Sequence, residues 1–146
     1  MSEPIAYGPA RLLPGEQIRI STNADTQPFW EAAKAHRLTV CQCAKCGHMR
    51  MPPSACCPEC SATEKAWPTL PGTGTVFTYV VCQKNPVTGE PYVYVPVVVE
   101  VDGGGGTRLN ANVTGCNAED VHIGMRVAVE WTPIQDGWVL PNFRKA

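Results

Sequence analysis

The chain has 146 residues, 44% of them hydrophobic, and a formal net charge of −1, so it can form one compact core with a small attached module. Nucleic-acid-binding proteins usually carry a basic excess that this composition lacks, and we therefore expect no nucleic-acid partner. No apolar run reaches the ~18 residues that a membrane-spanning helix needs, and we expect no membrane partner.

Residues 1–26 are punctuated by proline and glycine, and we interpret them as an N-terminal arm. The arm is rich in apolar residues, namely Ile5, Tyr7, Leu12, Leu13, Ile18 and Ile20. Two interpretations stay open: a disordered terminus, or a segment that lies on a partner. Residues 1–4 show neither the basic start nor the apolar run of a secretory signal, so a reducing cytoplasm is the expected location.

Residues 27–37 are predicted to form a short docking helix. Thr26 is a suitable N-cap, and Pro28 is tolerated in the first helical turn. Phe29 and Trp30 lie on the apolar face of this helix. Because so short a helix cannot bury two large aromatic side chains against itself, they must dock either on the rest of the chain or on a partner.

Residues 38–70 hold six of the 8 cysteines, and four of these have the spacing of a metal site. Two CxxC pairs, Cys43 with Cys46 and Cys57 with Cys60, are separated by ten residues. Each CxxC turn presents two sulfurs to one ion, and zinc prefers a tetrahedron of such soft ligands. The spacing predicts a structural Zn²⁺ site in a zinc ribbon. A site closed by four thiolates has no position left for substrate, and it contributes to folding instead.

Two alternatives to this zinc site stay open. Iron in a rubredoxin-like centre uses the same four thiolates. Cys41 and Cys56 are interpreted as spare thiols, although Cys56 can replace Cys57 in the ligand set on spacing alone. Disulfides are disfavoured by the expected reducing compartment.

Residues 71–146 contain five runs rich in β-branched and aromatic residues, separated by turn signals such as Asp136-Gly137. The runs are Gly74–Val81, Tyr92–Val101, Arg108–Val113, Arg126–Trp131 and Trp138–Phe143. Five short strands in about seventy residues favour a five-stranded OB-fold barrel. The predicted fold class is therefore mainly β, with an N-terminal helix, a four-cysteine zinc ribbon and a C-terminal barrel. The glycine run 103–106 is predicted to be a hairpin tip, since no phosphate-loop residues follow it.

No catalytic residue is assigned from the sequence. Nucleophilic catalysis needs a cysteine beside a base, and Cys116 with His122 is a pair that spacing alone does not establish. His48 is interpreted as a surface residue or a neighbour of the metal site. Four basic residues are possible phosphate contacts, although ordinary surface charge is the favoured interpretation of each: Lys84, Arg108, Arg144 and Lys145.

Several stretches taken together resemble a bacterial and archaeal family of rubredoxin-like zinc ribbon plus OB-fold proteins, long catalogued as a domain of unknown function. The stretches are Gln27–Ala32, Cys43–Gly47, Pro52–Pro53, Cys57–Cys60, Gly74–Thr78, Gly124–Val127 and Leu140–Phe143. The resemblance runs from about residue 27 to the C-terminus. Cys41 and Cys56 are additions to the family pattern.

The resemblance implies a small subunit that accompanies an acyl-CoA enzyme. It implies zinc at Cys43, Cys46, Cys57 and Cys60, and a thiolase-fold catalytic subunit in a hetero-oligomer, for which two-plus-two is the natural assembly. It further implies that ribbon and barrel complete the partner's active-site or CoA channel, with the CoA thioester as ligand of the complex.

Two alternatives to the thiolase-associated role are kept. The first is an accessory subunit of an acyl-CoA hydratase or aldolase. The second is a single-stranded nucleic-acid-binding OB protein. The second alternative needs stacking aromatic side chains, for which Tyr79, Tyr92 and Tyr94 are candidates, and the near-neutral charge disfavours it.

Overall fold

A computed structural model of the chain describes residues 5–146. Over these residues one α-helix precedes ten short strands, and the strands form a three-stranded sheet, a closed barrel and a two-stranded sheet. The elements are α1 (Gln27–Lys34), β1 (Cys41–Cys43), β2 (Met49–Arg50), β3 (Lys65–Ala66), β4 (Thr73–Tyr79), β5 (Cys82–Lys84), β6 (Pro91–Tyr94), β7 (Pro96–Val101), β8 (Arg108–Thr114), β9 (Arg126–Pro133) and β10 (Val139–Lys145). No helix among the described residues is long and apolar enough to cross a bilayer.

The barrel closes in the order β10-β8-β7-β4-β9, with β9 pairing back onto β10. Its neighbouring strands are antiparallel except for β8 and β10, which run parallel. In chain order, the first three strands are neighbours and the fifth lies between the third and the fourth, as in an OB-fold. The predicted fold class is confirmed, and the ribbon sheet β2-β1-β3 lies beside the barrel.

Strand alternation places the barrel core. In β7, Val97, Val99 and Val101 are buried, and the residues between them are more exposed, as expected for a strand with one face on the core. Gly74 of β4 crosses this strand so closely that an added Cβ would lie 2.5 Å from Val99 Cγ1 and 2.7 Å from the Glu100 carbonyl oxygen. Only glycine permits this close strand crossing.

The helix begins at Gln27 after Thr26, as predicted, and differs from the prediction at its C-terminal end. It ends at Lys34 rather than residue 37, and the Thr26 side chain makes no capping bond. Asn23 holds the turn before the helix, because its Oδ1 accepts the N–H groups of Asp25 and Thr26, each at 2.9 Å. Its carbonyl oxygen also accepts the N–H of Gln27. Thr26 therefore occupies the predicted N-cap position, and Asn23 supplies the side-chain hydrogen bonds just before the helix.

The predicted strand Tyr92–Val101 is in fact two strands. It is interrupted at Val95, and β7 begins at Pro96. Proline lacks the N–H that a continuous ladder needs and is tolerated as the first residue of a strand. The first part, β6, pairs with β5 outside the barrel, and only the second part enters the barrel.

The described part of the arm packs on the chain's own barrel. The N–H of Ala10 donates to the Cys116 carbonyl at 3.0 Å, and the N–H of Arg11 donates to the Val93 carbonyl at 3.1 Å. Farther along, Gln135 Nε2 donates to the Ile18 carbonyl at 2.6 Å. Neither predicted state of the arm, disordered or lying on a partner, describes these residues. Residues 1–4 of the predicted arm lie outside the described residues, and the predicted domain boundaries at 26, 37 and 70 stay predictions.

Phe29 and Trp30 dock on the chain itself. Phe29 is 7% exposed and belongs to the same core cluster as Leu38 and Val40 of the ribbon and Phe143 of the barrel. Trp30 is half-buried beside this cluster, edge-on to Phe29 with 5.1 Å between ring centroids. One continuous core therefore joins helix, ribbon and barrel.

Candidate metal centre and adjoining groove

The ribbon gathers four cysteine sulfurs at one point. The Sγ atoms of Cys43, Cys46, Cys57 and Cys60 all lie within 4.8 Å of one another. The Cys43–Cys60 and Cys46–Cys57 sulfur distances are both 3.6 Å. A tetrahedral ion with metal–sulfur bonds of about 2.3 Å has sulfur–sulfur edges of about 3.8 Å. The donor set therefore fits Zn²⁺ in both number and spacing.

Backbone N–H groups favour a thiolate at Cys43. The N–H groups of Cys46 and Lys45 each donate to Cys43 Sγ at 3.4 Å. These bonds, the one from Cys46 first, lower the pKa of the Cys43 thiol to about 6 against the opposing effect of burial. Gly47, with a φ of +82°, provides the left-handed turn that closes this knuckle.

The neighbouring Cys46 sulfur resists a second negative charge. At Cys46 the N–H of His48 favours the thiolate, but desolvation and the adjacent thiols outweigh it and raise the pKa to about 12. One sulfur thus ionises readily, whereas four thiolates together require a cation among them. This is the behaviour expected of a set of metal ligands.

Arg50 of β2 holds the segment that leads into the second CxxC pair. Its side chain is buried, with Nε donating to Ser54 Oγ and Nη2 donating to the Ser54 carbonyl oxygen, each at 2.9 Å. Ser54 Oγ in turn donates to the Cys56 carbonyl oxygen at 3.1 Å. The sequence prediction missed Arg50, and the signal available for it was an arginine in a strand between the two CxxC pairs.

The two spare thiols differ in environment. Cys41 is fully buried, and burial raises the pKa of its thiol. Cys56 is exposed and lies outside the group of four sulfurs, which contains Cys57. The structure therefore shows the predicted set of four cysteines rather than the exchange of Cys56 for Cys57.

A groove of about 290 Å³ adjoins the ribbon. Its walls come from α1, the turn 51–53, β8 and β10, and most of its lining is apolar. Three stretches that carry the family resemblance meet here: Phe29–Trp30, Pro52–Pro53 and Leu140–Asn142. They are far apart in the sequence, so the groove was not predictable from it.

The candidate catalytic pair is not assembled. His122 Nδ1 lies 3.0 Å from the Asp120 carbonyl oxygen, and no hydrogen bond within residues 5–146 joins it to Cys116. Burial raises the pKa of Cys116, which makes it a weaker nucleophile. The His36 ring stacks on Trp131 with 5.5 Å between ring centroids. These side chains have structural surroundings and form no nucleophile–base arrangement.

The four candidate phosphate contacts are dispersed, as expected for ordinary surface charges. Lys84 lies in β5, Arg108 begins β8, and Arg144 and Lys145 end β10. The Arg108 guanidinium covers the Phe77 ring at 3.6 Å from its centroid, and its Nε lies 4.0 Å from a Glu100 carboxylate oxygen. No single basic site results from these four residues.

The arm partly covers the tyrosines that were candidates for base stacking. The Arg11 guanidinium lies 4.1 Å from the Tyr92 ring centroid, and the Tyr92 hydroxyl donates to the Leu12 carbonyl oxygen. Tyr92 and Tyr94 belong to β6, outside the barrel wall, whereas Tyr79 ends β4. A base stacking on Tyr92 would have to displace Arg11.

Two protein-family models match adjacent stretches of the chain. Residues 30–66 match the model described as ChsH2, rubredoxin-like zinc ribbon domain, and residues 67–132 match ChsH2, C-terminal OB-fold domain. Among solved structures, a chain of the "Ltp2-ChsH2(DUF35) aldolase" is 35% identical with a TM-score of 0.80, covering 87% of this chain and 98% of that one.

Curated relatives carry related names. A "Probable enoyl-CoA hydratase alpha subunit" of Thermomonospora curvata is 37% identical over 130 residues, which is 88% of this chain and 40% of the relative. The chain thus spans about two fifths of that subunit. A "DUF35 domain-containing scaffold protein" of Methanocaldococcus jannaschii is 33% identical over 97 residues, covering 65% of this chain and 67% of the relative.

Proposed function

Because this chain belongs to the ChsH2 family of zinc ribbon plus OB-fold proteins, the DUF35 family, we propose that it is an accessory subunit of a heteromeric enzyme acting on CoA thioesters. The observation that carries this proposal is the pairing of a closed four-sulfur set with a preformed apolar groove on one continuous core. In this proposal the chain catalyses no bond-forming or bond-breaking step itself. It completes or stabilises the active-site or CoA channel of a catalytic partner.

In this proposal Cys43, Cys46, Cys57 and Cys60 hold a structural Zn²⁺. When bound, the ion supplies only folding energy, since four sulfurs leave no coordination position for substrate. Arg50 and the backbone N–H groups of the first knuckle keep the sulfurs in place. None of the eight cysteines forms a disulfide, which supports a reducing, cytoplasmic location.

The proposed partner is a thiolase-fold catalytic subunit in a two-plus-two hetero-oligomer. The apolar groove supports a partner of this kind, because an acyl-CoA channel needs apolar walls. Exposed apolar side chains add to the surface available for docking; Phe77, Val80 and Ile123 are between 45% and 67% exposed.

A second candidate is an accessory subunit of an acyl-CoA hydratase or aldolase. The names of the relatives favour it, since one is a probable enoyl-CoA hydratase alpha subunit and a similar solved chain belongs to an aldolase. Both candidates share the accessory role and differ in the reaction of the catalytic subunit.

An affinity purification of the tagged chain from its native host tests the role. We expect a stoichiometric partner in the native mass of the complex, and the partner's own reaction decides between the two candidates. A matched variant, Cys60→Ser, is expected to lose both zinc and partner. A chain that purifies alone, or that turns over an acyl-CoA by itself, would contradict the accessory role; copurification with single-stranded nucleic acid would favour an OB-fold nucleic-acid protein.

A further inference from the structure

The groove contains a gap in the barrel wall. Strands β8 and β10 pair in parallel only at Val113 with Phe143 and at Thr114 with Arg144. Before these pairs the two strands both line the groove but are not paired. The closed barrel therefore has an unpaired stretch between β8 and β10, on the side that α1 and the turn 51–53 cover.

Strand alternation shows which groups face this gap. The N–H of Val113 donates to the Val95 carbonyl at 3.1 Å, so the odd-numbered residues of β8 bond to β7. The even-numbered residues face β10, and the N–H of Asn112 accordingly donates to Asn142 Oδ1 at 3.0 Å. The N–H and the C=O of Asn110 therefore both point into the gap.

Pro141 explains why the ladder stops. The parallel register pairs Phe143 with Val113. If this register continued two residues toward the N-terminal ends of both strands, the N–H of residue 141 would donate to the Asn110 carbonyl. Residue 141 is proline and has no N–H. Within the described residues, no strand partner faces the two backbone groups of Asn110, which leaves one donor and one acceptor on a mainly apolar groove.

We propose that this gap binds the pantetheine arm of a CoA thioester, with an amide of the arm pairing with the Asn110 backbone. This inference rests on the proposed function, which supplies CoA thioesters as the substrate class. The pantetheine arm has secondary amides between apolar segments. One of these amides can pair with the open backbone position of Asn110, while the apolar segments contact the walls formed by Trp30, Pro52 and Leu140.

The size of the opening favours this arm over a polypeptide. An added β-strand needs several consecutive open ladder positions, whereas the gap offers one residue. A volume of about 290 Å³ lies at the lower limit of small-molecule pockets, roughly 300 Å³, which suits one arm of CoA rather than the whole molecule.

The groove continues along β8 to a basic residue. A neighbouring hollow shares Met51, Pro52 and Asn110 with the groove and adds Arg108. Glu100 lies 4.0 Å from Arg108 and partly offsets its charge. Arg108 stands at the end of the groove where the phosphates of an extended CoA would emerge.

Amide NMR of the zinc-loaded full chain tests the site with pantetheine and CoA as probes. We expect saturable shifts at the Asn110 amide and the Trp30 indole, with a Kd on the order of 1 mM for the arm alone. Asn110→Ala keeps the backbone N–H and should bind like the wild type. Asn110→Pro removes the backbone donor that β7 does not use, leaves the β7–β8 hydrogen bonds in place, and should weaken binding about tenfold.

Three results would overturn the inference: no saturable shift in the wild type, equal binding by Asn110→Pro, or an equal response to a blocked dipeptide, which would make the gap a peptide site. If Asn110→Pro does not fold, Trp30→Ala, which removes an apolar wall, must show the loss instead. If a partner copurifies but pantetheine does not bind, the accessory role is supported and this binding site is wrong. If pantetheine binds but no partner copurifies, the binding site is supported and the accessory role is wrong.

Discussion

At the scale of single residues, Asp102 ties three barrel strands together. Its carboxylate accepts hydrogen bonds from Arg126, at the start of β9, and from Thr73, at the start of β4. These three bonds, the two from Arg126 first, lower the pKa of Asp102 to about 2. Both partners of the ion pair are partly exposed, at 53% for the Arg126 side chain and 36% for Asp102, so water weakens the interaction.

This shift predicts a specific pH dependence. A depressed carboxyl pKa stabilises the fold above the unfolded value near 4, and the stabilisation is lost as pH falls toward about 2. After allowance for solvent screening, we expect Asp102→Asn to lower the free energy of unfolding by about 1 kcal/mol at pH 7. The difference from wild type should vanish between about pH 4 and pH 2. Urea unfolding at several pH values measures it, and a difference that is constant with pH would contradict the assignment.

Arg50 supports a second prediction at this scale. Arg50→Met removes the two hydrogen bonds to Ser54 and frees the segment that carries Cys57. We expect zinc release to a chromogenic chelator to be about tenfold faster, which corresponds to roughly 1.4 kcal/mol. Arg108→Met, which changes an exposed arginine of the barrel, is the matched control. Equal release from both variants would show that Arg50 does not position the ligands.

At the scale of elements, the arm supports a third prediction. Ala10 is 8% exposed in the core cluster, and its N–H bonds to the carbonyl of the half-buried Cys116. Ala10→Arg cannot be accommodated there, so the arm should leave the barrel and uncover Cys116. We expect thiol labelling of Cys116 in the zinc-loaded protein to accelerate several-fold, as measured by peptide mass spectrometry. Ile5→Arg, at a position that is 65% exposed, should change nothing.

Local sequence patterns predicted the elements that depend only on neighbouring residues. The valines of β7 alternate in and out of the core, and Asp136, with a φ of +62°, and Gly137, with a φ of +76°, form the predicted turn between β9 and β10. Spacing identified Cys43, Cys46 and Cys60, but it left Cys56 as an alternative to Cys57. The interruption at Val95 was missed because the Val-rich run continues through it, and only pairing with β5 separates the two halves.

Features built by long-range contacts were not predictable. The arm is held by residues far along the chain, such as Glu119, whose carboxylate accepts the N–H groups of Tyr7 and Gly8. The gap beside Asn110 depends on Pro141, and the sequence does not reveal that these residues lie on adjacent strands. Local propensity carries no information about such registers.

At the scale of the whole molecule, the ribbon and the barrel share one hydrophobic core. Leu38 and Val40 belong to the same core cluster as the barrel valines, and the N–H of Leu70 donates to the Leu38 carbonyl at 2.7 Å. Thr39 and Thr69 form a β-bridge at the same junction. Unfolding of the ribbon would thus expose one side of the barrel core to water.

This continuity predicts that metal removal destabilises the barrel as well as the ribbon. Structural zinc contributes on the order of 10 kcal/mol to the folding of small modules, and part of that energy is transmitted here through the shared core. We expect a chelator to lower the Tm of the entire chain by roughly 10 °C or more in a single transition, followed by circular dichroism in the near-ultraviolet. Added zinc should restore the Tm. A barrel that melts at its original temperature after complete metal removal would show that the two parts fold independently, and that the shared core transmits none of the zinc-binding energy.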